Sequence, residues 1–358
     1  MYIENISIKN FRNISDIKIN PCKKINLIIG NNAQGKTNFI EAIYFTSLLK
    51  SFRTQKISEL IREDEDSSYL KFDVINNKVN LNIEIYFNNQ YKKLKINKKK
   101  AERKYYYKYL NTVIFFPEEV NYINNYPIFR RNLLDKSIFY NDFDYIKVYK
   151  NYYRCLKQRN AYLKNNHKEN DCWKNQLIKY GSEIIRKRLN YIDKINNYFM
   201  SDLFIKTNKE EYLLSYSKKY LNLNSIEDRL REEFSRKNNR ERILGCTLVG
   251  PHKDDLQFYI NSKPADTFAS QGQKRSLIIS FKTAQIIDYK NIQGHYPVLI
   301  LDDMTSELDH NRKNILLENL LNNSGQVFIT STDSKEINCS EQTKVFRINN
   351  GEISSPDC

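Results

Sequence analysis

Hydrophobic and polar residues alternate in several stretches near both ends of the chain, which is the spacing of β-strands buried on one face. The clearest alternation runs over residues 79–87, and the polar residues 88–90 predict a turn into a second strand over 91–97. The first 20 residues predict two strands joined around residues 10–13. Short apolar runs predict more deeply buried strands at residues 25–29, 246–249, 256–260, 297–301 and 326–330. Both ends of the chain are therefore predicted to form β-sheet.

The middle of the chain has the three- and four-residue spacing of amphipathic helices instead. The polar residues 165–171 separate two apolar stripes, which predicts an antiparallel helix pair. Such stripes are usually packing surfaces, so we assign no chemistry to them. The whole pattern predicts an α/β domain formed by residues 1–127 and 241–358, interrupted by a mainly helical lobe over residues 128–240. The stripes are Tyr145, Tyr149, Tyr152, Leu156 and Leu163, then Leu177, Gly181, Ile184, Ile192, Ile195 and Phe199.

Composition excludes several classes of protein. The chain has no run of about 18 apolar residues to span a membrane, and its first residues lack the basic and apolar segments of a signal peptide. Its six cysteines are scattered without a C-x-x-C pair, which argues against a zinc site and against a disulfide framework. These features predict a cytoplasmic protein with one large domain or two modest ones.

A phosphate-binding pattern joins the predicted strand at residues 25–29 to an apolar helical run at residues 39–45. It fits G-x-x-x-x-G-K-[ST], and the chain has only nine glycines, so a chance match is rare. A glycine loop that opens a helix directs backbone N–H groups and the positive end of the helix dipole toward one spot. Lys36 would neutralise the β- and γ-phosphates, and the Thr37 hydroxyl would bind Mg²⁺. The predicted nucleoside triphosphate-binding residues are Gly30, Asn31, Asn32, Ala33, Gln34, Gly35, Lys36 and Thr37.

A second part of a P-loop nucleotide site is predicted at residues 298–303, where four apolar residues precede two aspartates. Asp302, at the end of this strand, would hold Mg²⁺ either directly or through a water molecule. Asp303 would orient or deprotonate the water that attacks the γ-phosphate. We therefore predict Thr37 and Asp302 as magnesium ligands and Asp303 as the catalytic carboxylate.

The chain carries a net charge of +16, which favours a polyanionic partner. Residues 91–108 hold nine basic residues against one acid, interleaved with tyrosines. This stretch is interpreted either as a surface that faces nucleic acid or as the solvated flank of a hairpin. Codon bias in an AT-rich genome also produces a lysine excess, so both interpretations stay open. The DNA-binding candidates are Lys92, Lys93, Lys98, Lys99 and Lys100, followed by Arg53, Arg130 and Arg131.

Two short motifs, one before and one after the predicted strand that ends in Asp302 and Asp303, resemble motifs of a known superfamily. Residues 270–273, Ser-Gln-Gly-Gln, resemble the signature motif of ATP-binding-cassette ATPases, and residues 306–309, Ser-Glu-Leu-Asp, resemble their D-loop. In that superfamily the signature motif of one chain completes the nucleotide site of another. One P-loop and one signature in a single chain therefore imply a homodimer. The residues implied to act in trans are Ser270, Gln271, Gly272 and Gln273, and the D-loop residue is Asp309.

Within that superfamily the chain resembles the RecF family of bacterial recombination mediators over essentially its whole length. The first 13 residues end in Asn-Phe-Arg-Asn, as in that family. Residues 51–54 resemble the family's Ser-His-Arg-Thr, with phenylalanine in place of histidine. Residues 250–256 resemble the family's Gly-Pro-His-Arg-Asp-Asp-Leu, with Lys253 in place of arginine. The resemblance implies an α/β P-loop NTPase head of the ATP-binding-cassette type that uses ATP and Mg²⁺. It also implies an ATP-driven homodimer on single-stranded, duplex or gapped DNA. The implied partners are RecR and RecO, with RecA loading and the SOS response as outcomes.

Departures from the transporter branch of the superfamily predict slow ATP hydrolysis. Thr332 stands where transporter ATPases have a switch histidine, a transporter-like glutamine loop is not evident, and Asp303 is shorter than the glutamate of many relatives. We therefore predict a slow, DNA-stimulated ATPase rather than a transporter subunit. A structural-maintenance-type DNA organiser is the alternative, but an insertion of roughly 110 residues is too short for a long coiled coil. His252 is interpreted either as a structural residue or as one near the nucleotide or the dimer interface.

Overall fold

The computed structural model describes residues 1–102, 106–124, 126–165, 171–201, 210–217, 220, 225–303, 324–332 and 342–354. The chain divides into two compact units. Unit 1 contains Met1–Glu119 and Gln285–Cys358, and unit 2 contains Val120–Ala284. No helix in the described part of the chain is long and apolar enough to cross a membrane.

The described residues form fifteen strands in three sheets, two in unit 1 and one in unit 2. The strands are β1 (Tyr2–Phe11), β2 (Ile14–Ile19), β3 (Ile25–Ile29), β4 (Ser67–Asn76), β5 (Val79–Asn88), β6 (Lys92–Ile96), β7 (Lys99–Lys100), β8 (Thr112–Phe115), β9 (Tyr212–Tyr216), β10 (Leu256–Ile260), β11 (Lys263–Pro264), β12 (Val298–Leu301), β13 (Val327–Ser331), β14 (Thr343–Asn349) and β15 (Glu352–Ser354). Their orders are β2-β1-β4-β5-β6-β7 and β15-β14-β3-β13-β12-β8 in unit 1, and β11-β10-β9 in unit 2.

Eight α-helices are formed by the described residues. They are α1 (Lys36–Leu48), α2 (Asn121–Asn124), α3 (Pro127–Phe139), α4 (Phe143–Lys164), α5 (Cys172–Phe199), α6 (Ile226–Leu244), α7 (Ala265–Phe268) and α8 (Gln271–Gln293). The predicted helix pair is confirmed, because α4 and α5 carry the two apolar stripes and pack against each other. Unit 2 also contains α6, which packs against α5.

The first sheet of unit 1 is antiparallel and confirms the strands predicted from alternation. Its central pair β4 and β5 is joined by a turn at Asn77 and Lys78, which both have positive φ, as a type I′ hairpin requires. Every second residue of β4 is buried over most of its length. The opposite face of such a strand stays accessible, which is the pattern of a sheet with one covered face.

The second sheet of unit 1 carries the candidate site. Strands β14, β3, β13, β12 and β8 are parallel, and β15 adds to β14 as an antiparallel edge. Every residue of β12 and β13 is buried, as expected for parallel strands covered on both faces. Because parallel strands end at the same edge, the loops after β3, β12, β13 and β14 meet there.

Helix α1 is buried on nearly all sides because it contacts strands of both sheets in unit 1. Phe39 packs near Phe328 of the parallel sheet, whereas Phe45 packs near Phe11 and Phe87 of the antiparallel sheet. Full burial of one such aromatic side chain contributes about 1.5–3 kcal/mol to stability. The helix that begins at the phosphate-binding loop is therefore held rigidly by apolar contacts.

The predicted strand at residues 246–249 is wrong. The Thr247 amide donates to the side-chain oxygen of Asn160 in α4 (2.8 Å), and the Leu248 amide donates to Glu241 of α6 (2.7 Å). These side chains bind the amides that a neighbouring strand would otherwise bind. The apolar run is thus partly buried between helices without joining a sheet.

The predicted lobe boundaries and the compact units divide the chain differently. The predicted helical lobe ends at residue 240, whereas unit 2 extends to Ala284. Residues 241–284 join unit 2 because β10 pairs with β9 and packs against α3. The division into three functional segments, residues 1–127, 128–240 and 241–358, stays a prediction.

Candidate nucleotide-binding site

The loop between β3 and α1 places the predicted phosphate-binding residues at the edge of the parallel sheet. Lys36 is the first residue of α1 and is buried, and its Nζ donates to the carbonyl oxygens of Gly30 (2.7 Å) and Asn31 (2.9 Å). Burial lowers the pKa of the Lys36 ammonium, and the carboxylates of Asp303 and Asp302 oppose that shift. The first turn of α1 contains no acidic side chain of its own, and its positive helix end suits an external anion.

The two glycines of the pattern are required by the space around them. A Cβ atom on Gly30 would collide with the carbonyl oxygen of Ile348 in β14. Gly35 has a φ of 112°, which favours glycine, and a Cβ atom there would lie 2.8 Å from the side chain of Asn13. The shape of the loop therefore depends on glycine at both positions.

Asp302 follows β12, two strands away from β3 in the parallel sheet. Thr330 on the intervening strand β13 donates from Oγ1 to Asp302 Oδ1 (2.7 Å), and Thr37 Oγ1 donates to the same oxygen (3.2 Å). Burial raises the pKa of Asp302 to about 6; the two hydroxyls oppose the shift, and Asp303 and Glu118 add to it. A carboxylate beside a hydroxyl is an oxygen donor set that suits Mg²⁺, and a cation would favour the charged carboxylate. The predicted magnesium ligands thus lie together and fit the ion.

Asp303 has a φ of 42°, in the left-handed region. This conformation costs a non-glycine residue of order 1–3 kcal/mol, and such strain is concentrated at functional sites. The Asp303 amide donates to Thr330 Oγ1 (2.9 Å), so one hydroxyl positions both aspartates. Sequence reasoning missed Thr330, whose only signal was a hydroxyl at the end of a buried apolar run.

A second polar cluster lies beside the N-terminal half of α1. Glu41 is fully buried and accepts from Arg12 Nε (3.0 Å) and Nη2 (2.9 Å). Arg53 Nη1 donates to Asn38 Oδ1 (2.8 Å) and lies 3.5 Å from Glu41. Both arginines line an open groove of about 560 Å³. Sequence reasoning assigned no role to Glu41, although a charged residue within an apolar helix was a usable signal.

Another open groove, of about 420 Å³, lies on the β14 side of the loop. Its lining includes Gly30 and Asn31 at the start of the loop. Thr332, at the position expected for a switch residue, lines the same groove together with Arg347. One groove is thus lined by the start of the phosphate-binding loop and the other by residues beside α1.

The predicted signature residues lie in unit 2, at the N-terminus of the 23-residue helix α8. The Gln273 amide donates to Ser270 Oγ (3.2 Å), and the Ser270 amide donates to Gln273 Oε1 (2.8 Å), which is a capping box. Ser270 is exposed. An exposed hydroxyl at a long helix N-terminus has the chemistry of an anion site. The predicted D-loop residue Asp309 lies outside the described residues.

The lysine candidates for DNA binding differ in accessibility. Lys93, Lys98, Lys99 and Lys100 are exposed on β6, on the edge strand β7 and on the turn between them. Lys92 is instead half-buried, and its Nζ donates to the carbonyl of Leu49 at the end of α1 (3.0 Å) while lying 4.6 Å from the centre of the Phe45 ring. Four of the five lysines are therefore exposed, with Lys93 Nζ lying 4.8 Å from the centre of the Tyr91 ring, and Lys92 has a structural contact.

The arginine candidates are engaged in contacts within their own units. Arg130 is buried and forms a two-bond ion pair with Asp255 (2.9 and 2.8 Å), and Arg131 donates to the carbonyl of Asp254 (2.5 Å). Arg53 is half-exposed beside α1. Burial and pairing give Arg130 a structural contact and leave its guanidinium less accessible to DNA than that of Arg53.

His252 is held by contacts within unit 2. Its Nδ1 lies 2.6 Å from Tyr152 Oη and its Nε2 lies 3.1 Å from the carbonyl oxygen of Thr247. Gly250, two residues earlier, has a φ of 121° and closely approaches the same tyrosine hydroxyl. These contacts favour the structural interpretation of His252.

Comparison with known families and proteins gives full-length matches. The family model described as RecF/RecN/SMC N terminal domain matches residues 2–354. The DNA replication and repair protein RecF of Geotalea daltonii is 36% identical over 364 residues, covering 99% of this chain and 100% of that protein. The protein of the same name from Streptococcus agalactiae serotype V is 36% identical over 363 residues, covering 99% of this chain and 98% of its own.

Solved structures match over the same length. Two of them are described as the recombination mediator protein RecF in the RecFOR pathway. The RecF-ATPrS structure has a TM-score of 0.89 at 31% identity and covers 99% of this chain and 98% of its own. The RecF-ATP structure has a TM-score of 0.87 at 32% identity and covers 99% of both chains. An Smc head bound to the C-winged helix domain of ScpA has a TM-score of 0.58 at 16% identity, which is a likeness of fold alone.

Proposed function

Because the chain belongs to the RecF family of DNA replication and repair proteins, we propose that it is an ATP-dependent DNA-binding recombination mediator. The RecF/SMC type of ATPase head is the fold of the chain. The full-length match to a RecF structure described with ATP supports ATP as the nucleotide.

One observation carries the proposal: Thr37 at the start of α1 and Asp302 at the end of β12 share a hydrogen bond of 3.2 Å. This contact joins the phosphate-binding loop to the carboxylate strand. The Lys36 ammonium would exchange main-chain carbonyls for phosphate oxygens. Mg²⁺ bound by Thr37 and Asp302 would neutralise charge on the β- and γ-phosphates. Asp303 would orient the attacking water and accept its proton.

The proposed ATPase is completed by a second chain. Ser270 and the N-terminus of α8 would bind the γ-phosphate held by the P-loop of the partner copy. The exposure of Ser270 at the start of α8 supports this role, and the capping box holds its hydroxyl at the helix N-terminus, where a phosphate would replace the bond between Ser270 and Gln273. Gln271, Gly272 and Gln273 would share this surface, and Asp309 would act in the D-loop. ATP would thereby hold two chains together until hydrolysis removes the γ-phosphate.

We propose that the ATP-dependent association of two chains takes place on DNA. The ATP-bound dimer would bind single-stranded or gapped DNA in the cytoplasm, and slow hydrolysis would set its lifetime there. RecR and RecO are the proposed partners, with RecA loading and the SOS response downstream. The RecFOR pathway, named for two solved relatives, supports this choice of partners.

DNA binding by the exposed lysines is the test of this function. ATP, but not ADP, is expected to tighten binding to labelled gapped DNA. Each phosphate contact should lower log K by about 0.7–0.9 per unit of log salt. Replacing Lys93, Lys98, Lys99 and Lys100 by glutamine should therefore reduce the salt slope by up to about 3 and weaken all sequences similarly. Fluorescence anisotropy across a salt series measures the slope.

A matched control removes the same charge elsewhere. Four other exposed lysines lie on the β2 side of the antiparallel sheet, away from β6 and β7: Lys9 on β1, Lys18 on β2, and Lys23 and Lys24 after β2. Their replacement by glutamine should leave most of the slope intact. Equal losses in both quadruple variants would show that DNA is attracted only by the overall charge of +16.

Asp303→Asn should separate ATP binding from turnover. Asparagine keeps the size of aspartate and tolerates the left-handed backbone, but it accepts no proton. We expect ATP affinity to be retained, turnover to fall about a hundredfold, and the dimer to stay on DNA longer. A steady-state phosphate-release assay measures turnover. Hydrolysis at the parent rate would contradict the assignment of Asp303.

A further inference from the structure

Gln34 lies in the middle of the phosphate-binding loop. Its side-chain oxygen and its carbonyl oxygen both accept hydrogen bonds from residues outside the loop. Its side-chain Oε1 accepts from the Asn350 amide (2.7 Å), and its carbonyl oxygen accepts from the Gly351 amide (2.9 Å). The same carbonyl accepts from Asn13 Nδ2 (3.3 Å). Two turns that are remote in sequence therefore hold one loop residue by three hydrogen bonds.

The turn at Asn350 and Gly351 joins β14 to β15 and is shaped to reach the loop. Its residues have φ values of 47° and 80°, as a two-residue type I′ turn requires. A Cβ atom on Gly351 would collide with the main-chain carbonyl of Asn13. The main chain at Gly351 thus lies directly against that of Asn13 and Gln34. Only glycine fits at this position.

We propose that the hairpin of β14 and β15 is a positioning element for nucleotide binding, which acts through Gln34 on the shape of the phosphate-binding loop. The inference rests on the proposed ATP binding. Ala33 and Gly35, on either side of Gln34, both have positive φ, so the loop is held in a conformation that the chain seldom adopts alone. Because the hairpin turn holds Gln34 in place, the neighbouring amides of the loop point toward the phosphate position before ATP binds. Such preorganisation raises affinity because less ordering is required on binding.

Gly351→Ala tests the inference, with Gly294→Ala as its matched control. Gly294 has a φ of 75°, close to that of Gly351, but a Cβ atom on it would meet nothing within 4 Å. Both variants place alanine at a positive φ, and only Gly351→Ala adds a Cβ atom that collides with the main chain of Asn13. We expect Gly351→Ala to weaken ATP binding at least about tenfold and to raise KM for ATP while kcat changes little. Gly294→Ala should lower the Tm without changing ATP affinity.

A second substitution removes the same contact from the side of the loop, and if Gly351→Ala does not fold, unchanged ATP affinity of Gln34→Leu alone overturns the inference. Gln34→Leu keeps the bulk of the side chain and removes the acceptor for the Asn350 amide. It should weaken ATP binding at least about fivefold, and it should have little further effect in a folded Gly351→Ala background. An additive loss in the double variant would instead mean that Gln34 acts on ATP directly, and the inference would fail.

The outcomes distinguish the inference from the proposed function. If the parent protein binds ATP and folded Gly351→Ala binds it equally well, the hairpin has no positioning role. If the parent protein itself does not bind ATP, the proposed function fails first. Titration of a fluorescent ATP analogue, with Tm measured in the absence of nucleotide, gives both readouts.

Discussion

Replacing Lys36 by methionine is expected to weaken ATP binding by about a hundredfold or more, since charge-assisted bonds to phosphate are worth about 1.5–3 kcal/mol each. Methionine has a similar length and fits the buried position at the start of α1. It lacks the ammonium that would neutralise the β- and γ-phosphates. Isothermal titration with ATP and Mg²⁺ measures the loss.

Lys344→Met is the control for this substitution. The Lys344 ammonium also donates to a main-chain carbonyl, that of Asn20 (2.9 Å), but it lies near the start of β14, at the sheet edge away from the phosphate-binding loop. Its removal should leave ATP affinity unchanged. Equal affinity of Lys36→Met and the parent protein would refute the nucleotide site.

Replacing Ser270 by arginine is expected to abolish ATP-dependent dimerisation and to leave ATP binding to one chain nearly unchanged. The added side chain fills the exposed helix N-terminus that would face a γ-phosphate on the partner. The P-loop, in the other unit of the same chain, keeps its own contacts. Light scattering with ATP and titration of an ATP analogue give the two readouts.

Ser262→Arg controls for the added charge. Ser262 is exposed in the turn between β10 and β11, also in unit 2, but it caps no helix. This variant should still dimerise with ATP. Loss of dimerisation in both variants would show a general effect of charge rather than a role for Ser270.

The candidate site was predictable from the sequence where the signal is local. Lys36, Thr37 and Asp302 belong to short patterns that combine a strand, a loop and a helix start, and those patterns fix their positions at one sheet edge. Ser270 and Gln273 likewise follow the three-residue spacing of a capping box. Elements with strong alternation, such as β5, were also predicted correctly.

Contacts between distant segments were not predictable. Gln34 and Asn350 are separated by 316 residues, and nothing local in either segment indicates their bond. Accessibility is equally a tertiary property: Lys92 belongs to a basic run but binds the end of α1, and Arg130 resembles a surface cation but pairs with Asp255. The apolar run at 246–249 was misread because helix side chains bind its amides.

The central claim is that ATP joins two copies of the chain through one composite site. Its most direct test is the mass of the protein in solution, measured by size-exclusion chromatography with light scattering in ATP and in ADP. We expect the monomer mass of 42.8 kDa with ADP and twice that mass with ATP, and we expect Ser270→Arg to be monomeric in both. A dimer that forms without nucleotide and persists in Ser270→Arg would show that ATP does not join the two chains through this site.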